Sequence, residues 1–205
     1  MKAIVTGATG FIGSAFVDYL NSRGIKVLAL GRKQPGEGSE ARWAKIQAAS
    51  YLKMDMDQIR SLPERLRGID WKVGSDCVFF HLAWGGKRNL SDLDVAAQLR
   101  NVERSVSALE VANQIGCSRF IQIGTMEEAF TQEYLKFDHQ INAQYNRHVI
   151  YSVAKMAARR ALRVRASQLE MDFIYVLHSH VMGPNDDKDS LLQVTLRKLM
   201  CGDEL

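Results

Sequence analysis

The run Thr6-Gly7-Ala8-Thr9-Gly10-Phe11-Ile12-Gly13 follows a short apolar stretch and leads directly into a helical pattern. A strand that turns on glycines into a helix points the first backbone N–H groups of that helix at one spot, where the peptide dipoles also favour negative charge. Such a turn binds phosphate. Gly7, Gly10 and Gly13 supply a tight turn, a close approach of backbone to a pyrophosphate, and close packing of helix on strand. Their spacing departs by one residue from the G-x-G-x-x-G fingerprint of dinucleotide binding, but the placement after an N-terminal strand is the same. Thr9, Phe11 and Ile12 complete the predicted cofactor turn. A glycine turn with a purely structural purpose is the competing reading.

An NAD-binding chain places an acid at the end of its second strand to hold the ribose 2′-hydroxyl. Here the sequence reads Leu30-Gly31-Arg32-Lys33, with no acid. Arg32, with Lys33 beside it, suits a 2′-phosphate, because a planar guanidinium grips phosphate oxygens in pairs. The cofactor expected is therefore NADP, with NAD as the alternative. Two solvated loop charges would look the same in the sequence.

The elements that must hold these residues follow from periodicity. Apolar, β-rich runs at Lys2–Thr6, Lys26–Leu30, Tyr51–Met54, Asp76–Ala83, Arg119–Ile123 and Asp172–Leu177 are mostly continuous, as strands covered on both faces require. Helical patterns lie between them at Phe11–Arg23, Gln58–Leu66, Leu93–Ile115 and Ser152–Leu169. The alternation predicts an α/β fold, a doubly wound parallel Rossmann sheet with helices on both faces. Lys33–Ala49 reads as a loop opened by Pro35, Gly36 and Gly38, and Met126–Val149 is polar without a clear period. After Gly183-Pro184-Asn185-Asp186-Asp187 the pattern breaks, and one more helix is expected at Leu191–Met200. Residues 1–184 are thus read as the NAD(P)-binding domain, and 185–205 as the incomplete start of a small C-terminal substrate-binding region.

The 205 residues are 46% hydrophobic and 24% charged, enough to bury the core of one domain. Lys and Arg number 27 against 23 Asp and Glu, without a basic tail, so no nucleic-acid partner is expected. A mild positive excess also suits an anionic small substrate. Three cysteines, Cys77, Cys117 and Cys201, are odd in number and widely spaced, which points to free thiols and a cytoplasmic setting. The N-terminal apolar run is too short for a signal core or a membrane span. His81 and His178 lie in apolar runs without ligand-spaced partners, so both read as buried strand residues and no metal site is expected.

Further landmarks fall in order: Asp55-Met56 after the third strand, Phe80-His81-Leu82-Ala83 on the fourth, Asn101-Val102 on the following helix, and Arg119-Phe120-Ile121. With the glycine turn they resemble the extended short-chain dehydrogenase/reductase family, especially its nucleotide-sugar epimerases, dehydratases and reductases. The resemblance runs through Pro184. It implies that Asp55 and Met56 lie near the adenine and that Leu82 and Ala83 line the cofactor. It also implies a catalytic set of Thr125, Tyr151 and Lys155. Four-residue spacing puts the phenol and the ammonium on one helix face. Tyr151 would act as acid/base, its phenolate supported by Lys155 and an oxidised nicotinamide, with Lys155 also holding ribose hydroxyls and Thr125 orienting the reacting oxygen.

Departures matter too. Dehydratases of the family commonly follow the Thr with Asp-Glu, whereas this chain has Met126-Glu127, which keeps only the second acid. Before the Gly-Pro the family often carries Arg and Asn with an aromatic; Leu177, His180 and Met182 stand there instead, leaving His180 as a candidate substrate donor. Arg159, Arg160, Arg163 and Arg165 read as a solvated helix face. The resemblance implies a homodimer and an oxidoreductase acting on a nucleoside-diphosphate sugar, as epimerase or keto-sugar reductase. The rivals are a non-catalytic dinucleotide-binding regulator or subunit, a 4,6-dehydratase, and a reductase of a non-nucleotide carbonyl.

Overall fold

The structure, a computed structural model, describes residues 1–86, 93–135, 149–183 and 191–202. Six strands, β1 Lys2–Thr6, β2 Lys26–Gly31, β3 Ser50–Lys53, β4 Cys77–His81, β5 Arg119–Ile123 and β6 Asp172–Val176, form one parallel sheet in the order β3-β2-β1-β4-β5-β6. This is the predicted doubly wound sheet. The chain leaves β1 towards β2 on one side and enters β4 on the other, so the loops after β1 and β4 diverge and a crevice opens beyond their C-terminal ends.

Both faces of the sheet are covered, which is why its central strands read as continuous apolar runs. On one face Ala3, Val5, Val27 and Ala29 pack with Val17 and Leu20 of α1 (Phe11–Ser22) and Ile46 of α2 (Glu40–Ile46). On the other, Ile4, Leu28, Phe79 and Phe120 pack with side chains of α3 (Leu62–Arg67), α4 (Val95–Gln114) and α6 (Val149–Gln168). The edge strand β6 differs: Ile174 and Val176 are 38% and 39% exposed.

Two departures have physical causes. The stretch read as loop contains α2, a helix too short for a strong period, whose Trp43 and Ile46 reach the α1 core cluster. The helix expected over Gln58–Leu66 divides into a 3-10 turn, Met56–Ser61, and α3, because Pro63 lacks a backbone N–H and sits in the first turn of a new helix. The polar stretch after Met126 begins with α5 (Glu127–Leu135), and α7 spans Leu191–Cys201. Residues 87–92, 136–148, 184–190 and 203–205 lie outside the described residues, and with them Pro184 to Asp187 of the break and the two ends of the predicted C-terminal region.

Candidate active site

The glycine turn is built by contact. Gly7 has φ +69°, and a Cβ there would lie 2.8 Å from the Ala83 nitrogen; a Cβ on Gly13 would lie 2.1 Å from the Gly7 carbonyl oxygen. No larger residue fits either place. The α1 helix starts at Phe11 with no side chain capping its first turn, so its leading N–H groups face the crevice.

The strand ends flanking the crevice are pinned to each other. The Thr6 hydroxyl lies 2.8 Å from His81 Nδ1 and accepts the Ala83 N–H at 3.2 Å. Ser105 donates to the Asn101 carbonyl at 2.8 Å and stands 3.2 Å from His81 Nε2. These roles give His81 the Nε2–H tautomer, with Thr6 donating to Nδ1. Burial pushes His81 down to about 3, so it stays neutral. The Asn101 side chain then clamps Gly85 from both sides, accepting its N–H at 2.9 Å and donating to its carbonyl at 2.8 Å. This fixes the loop after β4.

The crevice holds a groove of two compartments. The first, about 300 Å³, is lined by Gly7, Thr9 and Gly10 of the turn, by Arg32 and Lys33 after β2, by Asp55 and Met56, and by Leu82 and Ala83 after β4. Arg42 of α2 joins Arg32 and Lys33 there, a third cation that sequence reading missed because its helix was missed. The second compartment, about 430 Å³, runs past Phe11, Ile12 and Gly13 to Tyr151 and Lys155. Gly7, Gly10, Arg32, Leu82 and Trp84 line both, so the two are continuous. Glycines that admit no Cβ, uncapped helix N–H groups and a cationic end are what a nicotinamide dinucleotide requires, and the residues present fit one. Asp55 also has a structural task, accepting the Asp57 N–H at 3.1 Å as cap of the 3-10 turn.

At the far end Tyr151 and Lys155 stand in the first turns of α6, four residues apart and on one face. Lys155 is 5% exposed, and its Nζ donates to the Ile123 carbonyl at 3.0 Å. Burial pushes it down to about 7, against the Glu128 carboxylate, which favours the ammonium. Burial pushes Tyr151 up to about 12, with a hydrogen bond from Thr125 acting the other way. Thr125, 5% exposed at the end of β5, reaches the phenol but lines neither compartment.

Other expectations change. Glu127 also lines neither compartment; its N–H donates to the Thr125 hydroxyl at 3.3 Å. His180 is exposed and away from both, whereas His178, expected inside a strand, lies beyond the end of β6 and lines the second compartment. Its Nδ1 is 2.7 Å from the Ser179 carbonyl. Of the four arginines read as a solvated face, Arg159 pairs with Glu128 at 3.8 Å, and Arg165 pairs with Glu110 at 2.8 Å. Glu128 itself, 2% exposed, was missed: adjacent acids give no sequence signal as to which one turns inward. Trp84 was missed as well.

Among the described residues no cluster of three His, Cys, Asp or Glu is placed to hold a metal ion, and no helix is long and apolar enough to cross a membrane. Cys77 and Cys117 are buried and hydrogen-bonded to each other, and Cys201 is exposed; all three are free.

Residues 3–203 match the NAD dependent epimerase/dehydratase family. A curated dTDP-4-dehydro-6-deoxy-D-allose reductase from a Streptomyces species is 24% identical over 220 residues, spanning 98% of this chain and 64% of the reductase. The UDP-glucuronic acid 4-epimerase of Bacillus cereus, solved in complex with NAD, aligns with TM-score 0.68 at 18% identity, over 100% of this chain and 65% of that one. The UDP-glucose 4-epimerase of Thermus thermophilus, also solved with NAD, aligns with TM-score 0.70 at 18% identity, over 100% of this chain and 64% of that one. At such identities the structures speak to the fold. The chain spans just under two thirds of these relatives, between 64% and 65% of their length.

Proposed function

The chain belongs to the NAD dependent epimerase/dehydratase family, and from that membership we propose that it is a nicotinamide-dinucleotide oxidoreductase acting on a nucleoside-diphosphate sugar, as keto-sugar reductase or epimerase. One observation carries this reading: a single groove joins the glycine turn at one end to Tyr151 and Lys155 at the other. The similarity to a dTDP-sugar reductase supports the substrate class.

In this reading the α1 N-terminus and the glycine turn hold the pyrophosphate, and Asp55, Met56, Leu82 and Ala83 line its path. Arg32, Lys33 and Arg42 at the adenosine end favour NADP over NAD, although the two epimerase structures named above hold NAD. The nicotinamide supplies the hydride chemistry. Tyr151 moves a proton at the sugar oxygen, Thr125 orients the phenol from behind, and Lys155 holds ribose hydroxyls. With Met126 in place of an acid and Glu127 away from the groove, the geometry supports reduction or epimerisation over dehydration. The presence of both Tyr151 and Lys155 at the groove weighs against a non-catalytic regulator.

Residues 1–184 act as the cofactor domain, and 185–205 contribute to a substrate-binding region. Exposed Val95 and Leu99 on α4 and Val153 and Val164 on α6 support a homodimer through these two helices. A cytoplasmic setting accords with the three free thiols. A sedimentation profile of a monomer at high concentration overturns the dimer.

The deciding experiment is calorimetric titration of the chain with NADP⁺ and NAD⁺, repeated on Arg32→Ala. Tighter NADP⁺ binding that falls to the NAD⁺ level in the variant supports the 2′-phosphate role and the reductase. A preference for NAD⁺ untouched by the variant moves the reading to the epimerase. Binding of neither overturns it.

A further inference from the structure

We propose that Trp84 is a positioning residue for Lys155: its indole face, locked in place by Gln98, holds the ammonium at the junction of the two compartments. This rests on the reading of Lys155 as the residue that meets the cofactor ribose. The ring is fixed from two sides. Its Nε1–H donates to Gln98 Oε1 at 2.8 Å, on a glutamine that is 2% exposed, and the next residue, Gly85, is held through both backbone groups by Asn101. An indole so tethered cannot swing away without giving up a buried hydrogen bond.

Lys155 Nζ stands 3.8 Å from the centre of the Trp84 ring and 5.8 Å from that of Tyr151, whose ring meets Trp84 edge to face at 85°. A buried ammonium must replace its lost water, and among the described residues the groups around it are few. From β5 the Ile123 carbonyl accepts one N–H. From α5 the Glu128 carboxylate acts from behind, and from β4 His81 is neutral. Tyr151 and Arg159 flank it on α6, and the Tyr175 hydroxyl of β6 lies 3.3 Å from its backbone carbonyl. On the groove side the π face of Trp84 is the partner. It attracts the charge while using none of the three N–H donors, so a donor is kept for a ribose hydroxyl. Burial brings Lys155 down to about 7, so near neutral pH a modest attraction decides whether the amine is charged.

The test needs no cofactor. With Trp43 and Trp71 replaced by Phe, Trp84 is the only indole in the chain, and its emission is followed from pH 5 to 10. The expected result is one step near neutral pH that vanishes in Lys155→Met and moves to lower pH in Glu128→Gln. A step of unchanged size in Lys155→Met, or no step in the parent chain, overturns the proposal. As a second readout, the pH dependence of dinucleotide affinity is compared in Trp84→Leu and Trp84→Phe. Loss of the ring favours the neutral amine by about two- to thirtyfold, moving the midpoint to lower pH in Leu and by less in Phe. A uniform loss of affinity with an unmoved midpoint indicates a wall of the groove and overturns the positioning role. Failure of the parent chain to bind any dinucleotide counts against the cofactor reading alone, because the emission titration still decides the role of Trp84.

Discussion

The Tyr175 hydroxyl donates to Glu128 Oε1 at 2.6 Å, and the same oxygen accepts the Thr125 N–H at 3.1 Å. One buried carboxylate thus ties the edge strand β6 to the residue that reaches Tyr151. Burial and the Glu128 charge push the Tyr175 phenol well above its ordinary value, so it remains a donor at all ordinary pH. Tyr175→Phe removes one of two donors to Oε1 and is expected to cost about 1–3 kcal/mol. Glu128→Ala strands the Thr125 N–H and the Tyr175 hydroxyl together and should cost more, roughly 3 kcal/mol. Arg159→Ala should cost under about 1 kcal/mol, since that side chain is 45% exposed and screened. Urea unfolding that ranks Arg159→Ala above Glu128→Ala contradicts this assignment.

Lys155 gives the chain a pH dependence of definite sign. Its ordinary value is 10.5 and burial brings it to about 7 in the fold, so between those two pH values the unfolded chain holds the extra proton. Stability therefore rises with pH through that window and falls as the pH drops towards 7. Lys155→Met removes the effect. The variant should be more stable than the parent at pH 6, by on the order of a few kcal/mol, and close to it by about pH 10. Thermal midpoints that differ equally at both pH values contradict a buried, depressed amine.

Much of this was readable in the sequence, and the limits are physical. The six strands, the glycine turn and the Tyr151–Lys155 spacing are local patterns, each set by residues close together in the chain. Asn101 and His81 stood out as landmarks, but their tasks, clamping Gly85 and pinning Thr6, join residues far apart and appear only once β1 and β4 lie side by side. The inward turn of Glu128 depends on where α5 meets β6, and the arrival of His178 in the groove depends on β6 ending at Val176. Trp84 is read in sequence as one more apolar residue after a strand; only Lys155 from a helix far along the chain gives its ring a purpose.

His81 makes a demand of the same sign at more acid pH. It is 1% exposed and pushed from 6.5 down to about 3 by burial, with Lys155 adding to the same direction. The fold keeps it neutral while the unfolded chain takes up a proton below 6.5, so stability is lost as the pH falls from there towards 3. His81→Gln removes this acid limb. It should also cost about 2 kcal/mol at neutral pH, because the amide reproduces only part of the bonding to Thr6 and Ser105. Parallel acid unfolding curves for parent and variant count against a neutral buried imidazole.

The glycine turn can be separated from ordinary glycine tolerance by two substitutions. In Gly13→Ala the new methyl would sit 2.1 Å from the Gly7 carbonyl oxygen, backbone that cannot move without dragging β1 and the turn with it. In Gly68→Ala, at the end of α3, the methyl would sit 3.6 Å from the Arg65 carbonyl oxygen, an ordinary contact, at φ −88°. Gly13→Ala is expected to cost about 3 kcal/mol or more and to abolish dinucleotide binding. Gly68→Ala should leave binding unchanged and stability the same or higher by about 0.5 kcal/mol, since Ala restricts the unfolded chain. Calorimetry with NADP⁺ and NAD⁺ on both proteins, after urea unfolding has set their stabilities, checks the pair. A Gly13→Ala chain that folds and binds as the parent does means that α1 need not lie against the turn, and with that the helix N-terminus loses its place as the pyrophosphate site.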